Sequence, residues 1–273
     1  MHYNQTLKKT AETLLISDLH LSVSYPHLTL AFYAFLEKRA ILAQELIIVG
    51  DLFEMWLGDD LGDAFALEVA RALKKLSDSG TKISFIHGNR DFSLGQTYAK
   101  LCGMSLLDEF YKITHPRNKT KSILVCHGDQ LCTLDKEYQR YRSIIQHRIM
   151  LKILGYSPKF FRKMIGAYAR KKSLLKKNIS KNISKNKSQD IKKMPLENIK
   201  YDVVQAAVLA ALLDYNSDIL IHGHTHKPAT HKLDDDKVRY VLSDWDKTAD
   251  YLCVNYESEH DFKITRNIIL IPV

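Results

Sequence analysis

The chain reads as an α/β protein: a parallel sheet flanked by helices, followed by a second, antiparallel sheet packed on the first. Three observations predict this. Short apolar runs alternate with amphipathic helices from Thr13 to Leu101, the pattern of a parallel sheet with covered faces. Asp, Asn and His collect just past the predicted strands, where ligands sit in such sheets. From Ala229 onward the chain consists of short alternating strands separated by polar turns.

Thr13–Ser17 (TLLIS) is a continuous apolar run of buried-strand length, ending in Asp18-Leu19-His20. Leu28, Phe32, Phe35 and Leu36 give Pro26–Ala43 a helical period. Glu45–Val49 is a second strand, ending in Gly50-Asp51-Leu52. The following loop, 53–62, holds Phe53, Trp56 and Asp59-Asp60, with both aromatics open to a core or a site role. Ala64–Leu76 is an amphipathic helix, and Lys82–Ile86 is a third strand before His87-Gly88-Asn89-Arg90-Asp91. A short helix, Gln96–Leu101, stops at Gly103. Glu109–Thr114 and Lys121–Val125 form a hairpin whose second arm ends in Cys126-His127-Gly128-Asp129. Leu134 to about Ser173 reads as helices. Residues 178–186 are a small tandem repeat, and 178–193 read as a solvated loop. Tyr201–Leu213 is a helix leading to the strand Asp218–Ile221, which ends in His222-Gly223-His224-Thr225-His226. Ala229–Leu233, Val238–Leu242, Tyr251–Tyr256 and Asp261–Leu270 make the antiparallel second sheet.

At 273 residues the chain suffices for one large domain or two small ones. The net charge is +9, but it is uneven. Between His147 and Lys200 there are 16 Lys/Arg against 2 Asp/Glu, a balance of +14; the remainder holds 24 against 29, a balance of −5. A mildly acidic body thus carries one strongly basic block, which calls for an anionic partner. Cys102, Cys126, Cys132 and Cys253 form no C-x-x-C pair, so reduced thiols in a cytoplasm are expected. No signal peptide is expected in the polar N-terminal stretch. The longest apolar run, Val203–Leu213, is too short to span a bilayer. Any membrane contact must then be peripheral.

Asp18, His20, Asp51, Asn89, His127, His222 and His224 all fall at strand ends. This donor set exceeds the need of one ion and suits two divalent cations about 3.5–4 Å apart. Asp18 and His20 would serve one ion, and Asn89 and His127 the other. Asp51 would bridge, because a carboxylate has two oxygens. His222 and His224, two apart on extended backbone, would point one way and divide between the ions. Gly223 would give the tight turn between them. Nitrogen and oxygen ligation without thiolate fits Mn²⁺, Fe²⁺, Zn²⁺ or Co²⁺. Such a pair acidifies a bound water and neutralises phosphoryl oxygens. The reaction class is hydrolysis of a phosphate ester or anhydride. His226 is one imidazole beyond this need and is expected in a supporting or solvated place. Asp129 would orient a ligand histidine or a loop, and Asp91 would pair with a nearby His or Arg.

The ordered motifs D-x-H, GD, GN-x-D, HGD and HGHTH resemble the calcineurin-like metallophosphoesterases. The resemblance implies a four-layer α/β-β/α sandwich and the ligand assignments above. Where the superfamily commonly has GNH, this chain has Gly88-Asn89-Arg90. A guanidinium does not give up a proton, but it clamps phosphate oxygens in pairs. That suits a leaving group needing no protonation, such as a phosphate monoester leaving a pyrophosphate. SDLHL, GDLFEMWLGDD, FIHGNRDF, CHGDQLCTLDKEYQ and LIHGHTHKPA are similar to the pyrophosphatases of lipid A synthesis that act on UDP-2,3-diacylglucosamine. That family cleaves at the α-phosphate, giving UMP and 2,3-diacylglucosamine 1-phosphate, typically with two Mn²⁺. The resemblance implies Asp51, Asn89, Arg90 and His127 as catalytic, and Asn89, Arg90, Asp135 and His222 on substrate.

It further implies a core of 1–146 and 201–273 with a helical lid insertion at 147–200. The lid supplies a Ser, an Asn and a Lys to the substrate. Ser173 matches the first; Asn178 stands one residue beyond the expected second; Lys193 is a candidate for the third. Leu151, Ile153, Leu154, Phe160, Phe161, Met164 and Ile165 interleave with Lys152, Lys159, Arg162 and Lys163. This is the pattern of an interfacial amphipathic segment and equally of an ordinary helix packed on the body; the two are not exclusive. The expected setting is a monomer on the cytoplasmic face of an anionic inner membrane, with no nucleic-acid partner. Two other readings remain: a dinuclear phosphodiesterase acting on nucleotides or nucleic acid, and an inactive scaffold with this fold. Release of UMP from a UDP-diacyl sugar separates the first, and metal content with turnover the second.

Overall fold

The computed structural model describes residues 9–162, 164, 202–246, 248–256, 258 and 260–271. Ser173, Asn178, Lys193 and the 178–186 repeat lie outside the described residues. β1 (Thr10–Ile16), β2 (Ala43–Val49), β3 (Lys82–Ile86) and β4 (Met104–Leu106) run parallel. α1 (Pro26–Lys38), α2 (Ala64–Asp78) and α3 (Gln96–Cys102) connect them. The α1 segment is shorter than its apolar spacing predicts. Residues 40–42 tighten into a 3₁₀ turn and Ala43 already starts β2.

β5 (Phe110–Thr114) and β6 (Ser122–Cys126) form the expected hairpin. Then come α4 (Lys136–Ile145), α5 (Arg148–Tyr156) and α6 (Gln205–Asp214). β7 (Ile219–His222), β8 (Ala229–Lys232), β9 (Val238–Val241), β10 (Thr248–Asn255) and β11 (Lys263–Leu270) complete the chain.

The strands divide differently from the sequence expectation. One sheet has the order β11-β10-β1-β2-β3-β4 and the other β5-β6-β7-β9-β8. β10 joins the first sheet antiparallel to β1, β11 follows antiparallel to β10, and β6 and β7 belong to the second. Local patterning cannot see this, because β1 has an open edge that only a distant strand can fill. The second sheet is also mixed, since β6, β7 and β9 are parallel.

Strand alternation builds four layers. Leu14, Ile16, Leu46, Ile48, Ile83 and Phe85 face α1, α2 and α3. Their neighbours Leu15, Ile47, Val49 and Ile86 meet Ile123, Val125, Ile221, Leu252 and Val254 between the sheets. Leu124, Cys126 and Leu220 face Val208, Ala211 and Leu212 of α6. Phe53 and Trp56 resolve to core: they stack at 4.9 Å beside Tyr98. All four cysteines are free and buried. Among the described residues no helix is long and apolar enough to cross a membrane.

Candidate metal centre

The parallel strands of both sheets end at one edge of the sandwich, and the polar residues gather there. At this edge the backbone leaves the extended region abruptly. Asp18, His20, Asp51, His224 and His226 all have positive φ, between 48° and 66°. Non-glycine residues in this region are strained, and such strain concentrates at functional sites. The glycines make room. A Cβ on Gly88 would stand 2.2 Å from Asp51 Oδ1, and one on Gly50, itself at φ 80°, would stand 2.6 Å from His127 Nδ1. Gly223 serves the same purpose. It is not in the left-handed region, but its Cβ would lie 2.3 Å from Asp18 Oδ2. Its role is space rather than the turn.

Two clusters of donors result. In the first, His226 Nε2 lies 3.2 Å from Asp18 Oδ1 and 3.4 Å from His20 Nε2. In the second, Asn89 Oδ1 lies 3.1 Å from His127 Nε2 and 2.9 Å from His224 Nδ1. Asp51 stands between them, with Oδ2 4.0 Å from His20 Nδ1 and Oδ1 3.8 Å from His127 Nε2. Asp18 is also near both, its carboxylate close to Asp51 and His127. However, Asp18 Oδ2 accepts the backbone N–H of His224 at 2.9 Å. Asp51 Oδ1 likewise accepts a backbone N–H, that of Arg90 at 2.8 Å, but Asp51 is the carboxylate with one oxygen toward each cluster.

His222 is not part of this gathering, contrary to the sequence expectation. It is the last residue of β7, in register with Cys126, and so shares the helix-facing side with Leu220. Its Nδ1 bonds to Gly223 O at 2.8 Å, while its Nε2 is buried without a hydrogen-bond partner. His224 and His226 lie at positive φ rather than on extended backbone, so the two-residue spacing does not set their directions. His226, expected in a supporting or solvated place, takes the position beside Asp18 and His20 instead.

Buried charge dominates the electrostatics. Burial beside Asp91 and Asp18 pushes the Asp51 carboxyl up to about 7, against the pull of His127. Burial also opposes charge on Asp18, yet the His226 hydrogen bond and surrounding imidazoles hold it well below the usual range. His226 is pushed up to about 10, because bonds to Asp18 and Asp244 outweigh its burial. His127 rises to about 9, since Asp51, Asp18 and Asp129 overcome burial. His224 falls to about 4 through burial and the nearby His127. Burial likewise lowers His222, to about 3. Buried carboxylates crowded together with imidazole nitrogens and an amide oxygen are what divalent transition cations take as ligands. The donor set therefore fits a metal pair.

Several supporting residues escaped the sequence reading. Glu54 lies between His20 and Arg90: Oε2 is 3.8 Å from His20 Nδ1, and Oε1 accepts from Arg90 Nη1 at 3.3 Å. Asp244 Oδ2 is 3.1 Å from His226 Nδ1. It too follows a parallel strand, β9, which is the one signal that marked it. Among the described residues Asp91 pairs with no His or Arg side chain. Its oxygens accept the backbone N–H groups of Asp51, Leu52 and Gly88 at 3.3, 2.7 and 2.9 Å, tying the second motif to the third. Asp129 accepts from Tyr138 Oη at 2.5 Å and Arg142 Nε at 2.8 Å. The Tyr138 ring then lies nearly parallel to His224. Arg90 is at the site: its backbone N–H donates to Asp51 Oδ1 at 2.8 Å. Asp135 caps α4, accepting from Tyr138 N at 3.1 Å.

A sandwich with dinuclear donors at its strand ends defines a metal-dependent phosphoesterase architecture. Residues 12–228 match the calcineurin-like phosphoesterases, and the chain belongs to that family. It is 40% identical to a protein of Shewanella piezotolerans named UDP-2,3-diacylglucosamine hydrolase, over 90% of this chain and 95% of that one. Proteins of the same name from Shewanella loihica and Yersinia pseudotuberculosis are 42% and 41% identical, over 85% of this chain and 88% and 90% of theirs.

Proposed function

We propose that the protein hydrolyses the pyrophosphate of UDP-2,3-diacylglucosamine at the α-phosphate, giving UMP and 2,3-diacylglucosamine 1-phosphate. The observation that carries this reading is the convergence of Asp18, His20, Asp51, Asn89, His127, His224 and His226 at one edge of the sandwich. The names of relatives at about 40% identity supply the substrate. Asp18, His20 and His226 would hold one cation, Asn89, His127 and His224 the other, and Asp51 both. When bound, such a pair lowers the pKa of a coordinated water and offsets charge on the phosphoryl oxygens. The mixed nitrogen and oxygen set admits Mn²⁺ alongside Fe²⁺, Zn²⁺ and Co²⁺, and Mn²⁺ is the ion proposed.

Arg90 is the residue for the phosphate. Its main chain is tied to Asp51 Oδ1 and its guanidinium to Glu54, so its charge stands beside the donor cluster. It can bind phosphate oxygens in pairs. The departing group is itself a phosphate monoester and leaves without a proton. The basic block 147–200 is read as a lid. Its described part is anchored by Arg162, whose guanidinium grips both oxygens of Asp60 at 2.6 Å, and by Lys159 on Asp60 O at 3.0 Å. Ile149, Ile153, Tyr156 and Phe160 are exposed on this segment. Apolar side chains among lysines support contact with an anionic bilayer, to which each Lys or Arg adds about 1 kcal/mol.

The test is Mn²⁺-dependent cleavage of UDP-2,3-diacylglucosamine with the products identified. UMP and the acylated sugar phosphate are expected. An inert manganese-loaded protein, or one that instead degrades nucleic acid, would refute the proposal.

A further inference from the structure

Asp244 belongs to none of the motifs that define the site, yet it touches a candidate ligand. Its Oδ2 accepts the Nδ1–H of His226 at 3.1 Å. The adjoining residue is firmly held. Trp245 N donates to Asp18 O at 3.2 Å, its indole N–H donates to Asp250 O at 3.2 Å, and its ring packs edge-on against Phe35. The carboxylate therefore hangs from backbone fixed to the same strand end that carries Asp18.

We infer that Asp244 is a positioning residue that orients His226 and makes the Asp18–His20–His226 half of the centre bind its cation more tightly than the Asn89–His127–His224 half. The inference rests on the dinuclear reading above. With Nδ1–H held by Asp244, Nε2 is the nitrogen turned to Asp18 and His20, and it would give up its own proton to take a cation. A carboxylate behind an imidazole fixes the tautomer and raises ligand basicity. Near His20 Nδ1, Glu54 Oε2 stands 3.8 Å away, beyond hydrogen-bond reach, and Glu54 is itself paired with Arg90 at 3.3 Å. The other half differs. His127 Nδ1 is backed by a neutral carbonyl, Val49 O, at 2.9 Å. His224 Nδ1 faces the Asn89 amide oxygen. Asp129 acts on both of these imidazoles from nearby, but its charge is matched by Arg142 at 2.8 Å. Among the described residues, Asp244 alone stands behind a candidate ligand imidazole, at hydrogen-bond distance, without an arginine matching its charge.

The experiment is Mn²⁺ equilibrium dialysis with metal analysis on the full chain, D244A and D244N. The parent should take up two ions with unequal dissociation constants. D244A should weaken the tighter one by about 10–100-fold, the usual effect of removing such a partner. D244N, whose amide oxygen still accepts from Nδ1–H, should lose less. N89A should weaken the other ion instead. The metal-free D244A protein should unfold at the parental temperature, which separates positioning from a structural role. Parental manganese constants in both D244A and D244N overturn the inference and leave the dinuclear reading intact. A parent that binds no manganese sinks both.

Discussion

Gly223→Ala isolates the demand that the site makes on the chain. A Cβ at this position would stand 2.3 Å from Asp18 Oδ2 and 2.4 Å from Ser17 Oγ, where ordinary contacts begin at 3.4 Å. Either the carboxylate or the loop must move by about 1 Å. Asp18 Oδ2 also holds the His224 N–H at 2.9 Å, so movement of one disturbs a donor in each cluster. Overpacking of this kind costs about 1–3 kcal/mol, or several degrees of Tm at about 2–4 °C per kcal/mol. A misplacement of about 1 Å costs about 10²-fold in rate. The expected result is a kcat/KM for UMP release lowered about 10²-fold with a modest fall in Tm. Gly155→Ala is the control. It lies inside α5 with nothing within 4 Å of an added Cβ, so stability should rise by about 0.5–1 kcal/mol. Parental kcat/KM and Tm in the Gly223 variant would refute the claim that this glycine exists to admit Asp18.

Two further substitutions test the rearranged ligand set and its scaffold. His226→Ala should lose one manganese ion and nearly all turnover, whereas His222→Ala should keep both ions and lose about 2–5 kcal/mol of stability as a core truncation; metal analysis of the pair decides, and the opposite pattern restores the assignment made from spacing. Asp91→Ala strands three buried backbone N–H groups, each worth about 1–3 kcal/mol when left unmade. Urea unfolding should show a loss of about 3 kcal/mol or more, and a loss well below that would mean the N–H groups find other acceptors.

The parts legible in the sequence were those governed by local periodicity. β1, β2, β3, β6 and β7 follow from apolar runs, and Asp18, His20, Asp51, Asn89 and His127 follow from standing just after them. Two things were not legible. The first was strand partnership: the antiparallel pairing of Leu14 with Cys253 joins residues far apart in the chain, and nothing local selects that over continuation of the second sheet. The second was backbone conformation past β7. His222 is still strand, so its side chain obeys strand alternation and falls on the Leu220 side of the sheet. Each assigned ligand on the earlier strands lies one to four residues beyond its strand, and His224 and His226 keep that rule where His222 does not. What separates them is that β7 runs one residue past Ile221, the end read from the sequence, and so takes in His222.

The corrected topology changes what the site does for the fold. Asp18, His20, Asp51 and Asn89 come from strands of one sheet. His127, His224 and His226 come from strands of the other. Each donor cluster mixes the two: His226 meets Asp18 and His20, while Asn89 meets His127 and His224. Cations seated there would join the sheets at the edge where the apolar packing of Val49, Ile86 and Ile221 ends. Anything that binds the folded state alone stabilises it by mass action. A metal pair in this position would therefore clamp the sandwich together, and the strained left-handed turns that carry its ligands cost stability in the metal-free chain that binding offsets.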